Sequence, residues 1–298
     1  MKRHMLSAEQ LSDFDTYGFV RLPQVFQADK VQELLAAVGD LSARGHATAD
    51  ARNWWTAFHN GARTPHAHLS EDHRNVAMQA AIFADLVDAE AILVPMIQIL
   101  GPRIAMLGSH AVVRGHTEGL SPEQLAQTRL GWHRDLGVSS IDMAEPHPRL
   151  ALKAAVWLTP LTGPGQGAMR VVPGTHRLRG GPAFDRTTNQ PFGAIEVLAE
   201  PGDVLLFEQR LWHAGAPNIS GRPRVSLFYC YGFRWLRPQD YTDVDVEQLN
   251  DMSPVRGQLF GAKTTVMGHH LPTPEDLPLE TWFSSWKETA DEPVARNG

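Results

Sequence analysis

The 298-residue chain has a single cysteine, Cys230, so no intrachain disulfide can form and a reducing, cytoplasmic setting is the simplest expectation. Its neighbours Leu227, Phe228, Tyr229 and Tyr231 predict a packed small hydrophobe rather than a nucleophile. No uncharged apolar stretch of about eighteen residues occurs, which argues against a membrane span. The opening Met1-Lys2-Arg3-His4-Met5-Leu6-Ser7 lacks the apolar segment of a secretory signal. Basic residues are in deficit, 27 Lys and Arg against 33 Asp and Glu, for a net charge of −6. Nucleic-acid binding needs a basic surface, so this balance argues against it. Internal repeats and low-complexity tracts are also missing. What remains is a chain long enough to bury a substantial core as one large β domain with helical additions.

Two short stretches carry the chemistry, Gly-Trp-His-Arg-Asp at 131–135 and Arg-Leu-Trp-His-Ala at 210–214. Together they supply His133, Asp135 and His213. Two imidazoles and one carboxylate, with no obvious fourth protein ligand, are the donor set of an open non-haem iron(II) site. His133 and Asp135 lie two apart, so on an extended strand both side chains leave the same face. His213 lies 78 residues beyond Asp135, and an antiparallel barrel brings such distant segments together. A His-x-Asp tripeptide alone is weak evidence. Here Gly202-Asp203-Val204-Leu205-Leu206-Phe207 predicts a turn and a buried strand just before His213, and Gly221-Arg222-Pro223-Arg224 a second turn before the β-rich run 225–231.

These residues resemble the phytanoyl-CoA dioxygenase family of iron(II)/2-oxoglutarate oxygenases, whose pattern is His-x-Asp, a distal His and an Arg about eleven residues after it: His133, Asp135, His213 and Arg224. Further matches are Leu6-Ser7-Ala8-Glu9-Gln10-Leu11 leading to Tyr17-Gly18-Phe19-Val20, then 169–176 and 201–207, so that the likeness spans roughly residues 6–238. The resemblance implies a double-stranded β-helix, a cupin-like jelly-roll barrel, mainly β with flanking helices. It also implies oxidation of a small organic molecule by O2, with 2-oxoglutarate converted to succinate and carbon dioxide.

The far carboxylate of such a co-substrate needs a holder. Arg224 offers a permanently charged, bidentate fork, each charge-assisted bond contributing about 1.5–3 kcal/mol. Ser226, on the same strand face, could add a hydroxyl donor. Arg222 shares that parity but lies in a turn, where a solvated charge is commoner. Lys153 interrupts an otherwise apolar run, 150–158, and must reach the rim or meet an anion; the expectation is an inward-facing ammonium that binds a carboxylate of co-substrate or substrate. Because Asp135 is present where related halogenases have a small residue, the resemblance implies hydroxylation or another oxidative outcome. Desaturation, cyclisation and epimerisation share its first step. Two rivals keep the fold: a zinc, manganese or nickel hydrolase or isomerase, since divalent affinities do not favour iron, and an inactive binding module.

For organisation, the expectation is one domain over 1–286. An N-terminal helical buttress covers 6–101, a docked C-terminal segment 235–286, and a disordered tail 287–298, in a monomer or homodimer. Ser7 to Gln10 forms a capping box with Leu6 and Leu11 as staple, predicting a helix from Ala8 that stops at Gly18. Val31, Leu34, Leu35 and Val38 mark a second helix, and a third ends at Leu100-Gly101, with Pro95 as a kink or restart. A strand is expected over 104–113, then a polar segment from Arg114 to Arg129 containing a short helix capped at Ser121. The aromatics 54–59 are read as a packed loop, and His66, His68, His269 and His270 as surface residues. His176 is read as closing a turn, and His110 as facing either core or cavity.

Overall fold

The computed structural model describes residues 3–43, 70–117, 119–135, 143–238, 251–262, 268 and 271–289. The aromatics 54–59, His66, His68, His269 and His270 lie outside these, as do Tyr241 and Leu249, two of the apolar residues expected to dock the C-terminal segment. Helix α1 spans Ala8–Tyr17, with both bonds of the capping box formed at Ser7 and with Gly18 at φ 85° ending it. Strand β1, Phe19–Leu22, leads to helix α2, Ala28–Ala43, which buries Val31, Leu34, Val38 and Leu41. Helix Glu90–Leu100 is one continuous helix with Pro95 inside it and is buried on most sides, so the proline does not restart it.

The strands that follow are β2 (Ser70–Arg74), β3 (Ile104–Arg114), β4 (Ala151–Trp157), β5 (Met169–Val171), β6 (Ile195–Val197), β7 (Val204–Glu208), β8 (His213–Gly215) and β9 (Arg224–Phe233). They build a six-stranded sheet in the order β1-β7-β4-β9-β3-β2 and a three-stranded sheet β6-β5-β8, with all ladders antiparallel. The two sheets form the jelly roll, and alternation along each strand sorts its residues between two cores. Leu152, Ala154 and Val156 of β4, Leu206 of β7, and Leu227, Tyr229 and Tyr231 of β9 pack under the helices against Leu34, Phe83, Ile92 and Met96. The intervening Ala155, Trp157, Leu205 and Phe207 face inward to Met169, Val171 and Val197 of the small sheet. Two buried phenols tie the layers, Tyr229 donating to the Phe83 carbonyl at 2.9 Å and Tyr231 to that of Val87 at 2.7 Å.

Strand β3 extends one residue beyond the expected limit, and Arg114 is its last residue rather than the start of a polar loop. The short helix Pro122–Gln127 is capped by Ser121 as expected. At the C-terminus, helix Pro278–Thr289 docks through Leu279, Trp282, Phe283 and Trp286. It continues through Lys287, whose ammonium lies 5.0 Å from the Phe283 ring, so the chain between 287 and 289 is helical where a tail was expected to begin.

Candidate metal centre

The segment 131–135 is held as an extra rung beside β8. His133 and His213 exchange backbone hydrogen bonds of 3.0 Å each way, and the amide of Asp135 donates to the Gln209 carbonyl at 3.0 Å. This pairing places the side chains of His133, Asp135 and His213 together, with one ligand atom from each lying within 4.8 Å of the others. The Asp135 Oδ1 atom is 3.7 Å from His133 Nε2 and 3.6 Å from His213 Nε2. These separations are too long for hydrogen bonds.

The backbone also fixes the tautomers. His133 Nδ1 donates to the Gly131 carbonyl and His213 Nδ1 to that of Leu211, each at 2.8 Å. A carbonyl can only accept, so in the neutral rings the proton sits on Nδ1 and each Nε2 offers a lone pair. Burial pushes His213 down to about 4, against the pull of Asp135, so the ring is neutral at neutral pH. Burial alone would raise Asp135, but the Lys153 ammonium, followed by the two imidazoles, holds it well below the usual carboxylate range. Two imidazole Nε2 atoms and a carboxylate brought within 4.8 Å of one another are what a divalent cation requires, and the residues therefore fit the implied iron.

Lys153 faces inward as its place in the apolar run suggested, but the carboxylate it meets is Asp135, with Nζ 3.0 Å from Oδ2. Arg224 is buried under the small sheet. Its Nε donates to the Gly167 carbonyl at 3.0 Å, its Nη1 to Ser226 Oγ, and its guanidinium lies 5.3 Å from the Trp157 ring centre. Ser226, fully buried, therefore accepts from Arg224 and keeps its own proton to donate. Arg222 is exposed in its turn. His176 ties the turn 174–177 to α1, Nε2 bonding the Asp15 carbonyl at 3.1 Å. Cys230 is buried with Leu107 and Ala151.

Sequence reasoning missed Arg114, which sits directly opposite Arg224 in the β3–β9 ladder. Its Nη1 donates to the Ala216 carbonyl at 2.9 Å. Burial pushes Arg114 down to about 10, and burial with Arg114 alongside pushes Arg224 down as well. No described carboxylate forms an ion pair with either. Arg114 Nε and Trp157 Nε1 are buried donors without a hydrogen-bond partner among the described residues. A buried guanidinium and a half-buried one amid unmatched donors make a place suited to an anion. The signal was present in the sequence as strand parity, since Arg114, Val112 and His110 alternate on one face. Its apparent place in a polar segment hid it.

Residues 14–226 match the phytanoyl-CoA dioxygenase (PhyH) family. The chain is 27% identical to an ectoine dioxygenase of Nocardia farcinica over 247 residues, 75% of this chain and 77% of that protein. Among solved structures it is similar to HygX from Streptomyces hygroscopicus with nickel, 2-oxoglutarate and hygromycin B bound, at 20% identity and a TM-score of 0.57 over 82% of this chain and 99% of that one. It is similar also to SnoN, a non-haem α-ketoglutarate-dependent epimerase from nogalamycin biosynthesis, at 20% identity and a TM-score of 0.54 over 77% and 85%. Matched over most of its length, the chain belongs to the phytanoyl-CoA dioxygenase family of iron(II)/2-oxoglutarate-dependent dioxygenases.

Proposed function

We propose that this enzyme hydroxylates a polar small molecule, with iron(II) held by His133, Asp135 and His213 and the distal carboxylate of 2-oxoglutarate held by Arg224 and Ser226. The observation that carries the reading is the convergence of three ligand atoms beside a buried guanidinium, Arg224, and the half-buried Arg114 opposite it, neither paired with a described carboxylate. When bound, iron with 2-oxoglutarate and O2 supplies the oxidising chemistry, releasing succinate and carbon dioxide.

The protein's share is positioning and electrostatics. The Gly131 and Leu211 carbonyls orient the two imidazoles, and Lys153 keeps Asp135 ionised and aimed. Arg224 supplies a fixed bidentate donor, Ser226 a hydroxyl beside it, and Arg114 a second positive charge behind them. Trp157, Phe207 and Phe228 pack together on the same inward face and surround these charges with apolar surface. The enzyme acts in a reducing compartment such as the cytoplasm, consistent with its lone buried thiol.

Succinate release is the test. Iron(II)-loaded protein should convert 2-oxoglutarate to succinate in air, faster with the true substrate, and not under argon; ectoine is the first compound to try. A product heavier by one oxygen from 18O2 supports hydroxylation, and loss of two hydrogens indicates desaturation or cyclisation. Turnover that continues without oxygen would contradict the oxygenase reading.

A further inference from the structure

The interior face of the large sheet carries one more buried polar group that the metal centre does not use. His110, on β3, sits opposite Arg74 of β2 and Phe228 of β9, its ring centre 4.8 Å from that of Phe228. His110 Nδ1 lies 3.0 Å from Asp72 Oδ1, and the other oxygen of this buried carboxylate is 2.7 Å from an Arg74 nitrogen. Asp72, paired in this way, only accepts, so His110 Nδ1 carries the proton and Nε2 keeps a lone pair. That Nε2 is buried and has no hydrogen-bond partner among the described residues. Burial and the nearby Arg74 charge push the imidazole down to about 4 against the pull of Asp72, so the lone pair persists at neutral pH.

The register places this acceptor. Along β3 the residues His110, Val112 and Arg114 share a face, and their partners on β9 are Phe228, Ser226 and Arg224. On β4 that face continues as Ala155 opposite Phe228, with Lys153 two residues along. Strand spacing puts β3 about 10 Å from β4, and the Lys153 charge acts on His110. His110 therefore shares the inward face of the large sheet with Lys153, the partner of Asp135. It lies two strands from Lys153 and is not among the three residues whose ligand atoms converge. A buried acceptor without a donor is destabilising unless a bound group completes it.

We propose that His110, oriented by Asp72, is a substrate-contacting residue that accepts a hydrogen bond from a hydroxyl or amine of the molecule being oxidised, so that a donor-bearing compound is selected over its O- or N-methylated counterpart. A site built around a substrate donor rejects the analogue lacking it far more strongly than an apolar pocket does. The proposal rests on the oxygenase reading above. If the pair merely tied β2 to β3, substrate preference would not depend on it.

The test uses the full chain loaded with iron(II) and 2-oxoglutarate without oxygen, and two probes. One is diethyl pyrocarbonate, which acylates an unprotonated imidazole nitrogen. The other is a panel of small hydroxylated and amine-bearing molecules, each beside its methylated counterpart. We expect His110 to be acylated, as mapped by mass spectrometry, and to be protected by a donor-bearing compound but not by its methylated partner. His110→Phe should raise that compound's KM about tenfold or more while the KM for 2-oxoglutarate stays within about twofold, and His110→Gln, which keeps an acceptor, should recover part of the loss. A His110 that resists the reagent, that no panel compound protects, or whose change to Phe leaves KM unaltered overturns the assignment. With air then admitted, absent succinate release from a protein whose His110 had been acylated and protected would instead overturn the oxygenase reading.

Discussion

At His133 and His213 the ring nitrogen remote from Asp135 is committed to a backbone carbonyl, which is how a divalent site acquires pre-aimed ligands. Lys153 completes the arrangement by compensating the buried carboxylate. Its removal leaves Asp135 with the burial that raises it and without the cation that most lowers it, so protons compete with the metal at higher pH. Lys153→Met should therefore weaken iron(II) binding by about 10–100-fold, more at pH 6 than at pH 8, as measured by anaerobic titration; equal affinity at both would contradict this. A second pH effect belongs to His110. Its ordinary value of 6.5 falls to about 4 in the fold, so between those limits the unfolded chain binds a proton that the folded chain does not. Stability should be intact above pH 6.5 and decline toward pH 4, and His110→Gln should flatten that part of a urea-midpoint profile.

Among the elements, α1 was legible because its signal is local: capping box, staple and closing glycine lie within the helix itself. The apolar strands β4, β7 and β9 were legible as near-continuous apolar, β-rich runs, β7 and β9 with turn signals before them. Strand β2, Ser-Glu-Asp-His-Arg, has no apolar residue to betray it, because its buried side chains are paired polar groups: Asp72 with Arg74 and His110, and His73 with Glu71. For the same reason Arg114 looked like the start of a loop. A charged residue turned inward at a functional site breaks the pattern that sequence reading depends on. The ligand spacing survived because two residues on one strand face need no partner to be recognised, whereas the Asp72–His110 pair joins two strands. The turn into β7 gives an element-scale prediction. Gly202 has φ 91°, and a Cβ there would overlap the Phe26 carbonyl oxygen. Gly202→Ala should cost at least about 2 kcal/mol, seen as a lower Tm, and an unchanged Tm would show that the turn can relax.

For the whole molecule, helices on one face of the large sheet leave its other face and the small sheet free to enclose the site, and binding there should be read in global stability. Ligands that bind only the folded state raise Tm by mass action. Zinc(II), as an inert substitute for iron(II), should raise it, and 2-oxoglutarate should raise it further. Arg224→Met should remove the second increment while preserving the first, with a KM for 2-oxoglutarate about 100-fold higher, since two charge-assisted bonds are lost. Loss of both increments together would mean that Arg224 supports the fold rather than the co-substrate.

The most direct measurement is an anaerobic iron(II) titration of the wild-type chain beside His133→Ala, Asp135→Ala and His213→Ala, each checked for folding by circular dichroism. The structure predicts one ion per wild-type chain and at least about 100-fold weaker binding in every variant. Wild-type affinity in any one of the three folded variants would contradict the proposed metal centre.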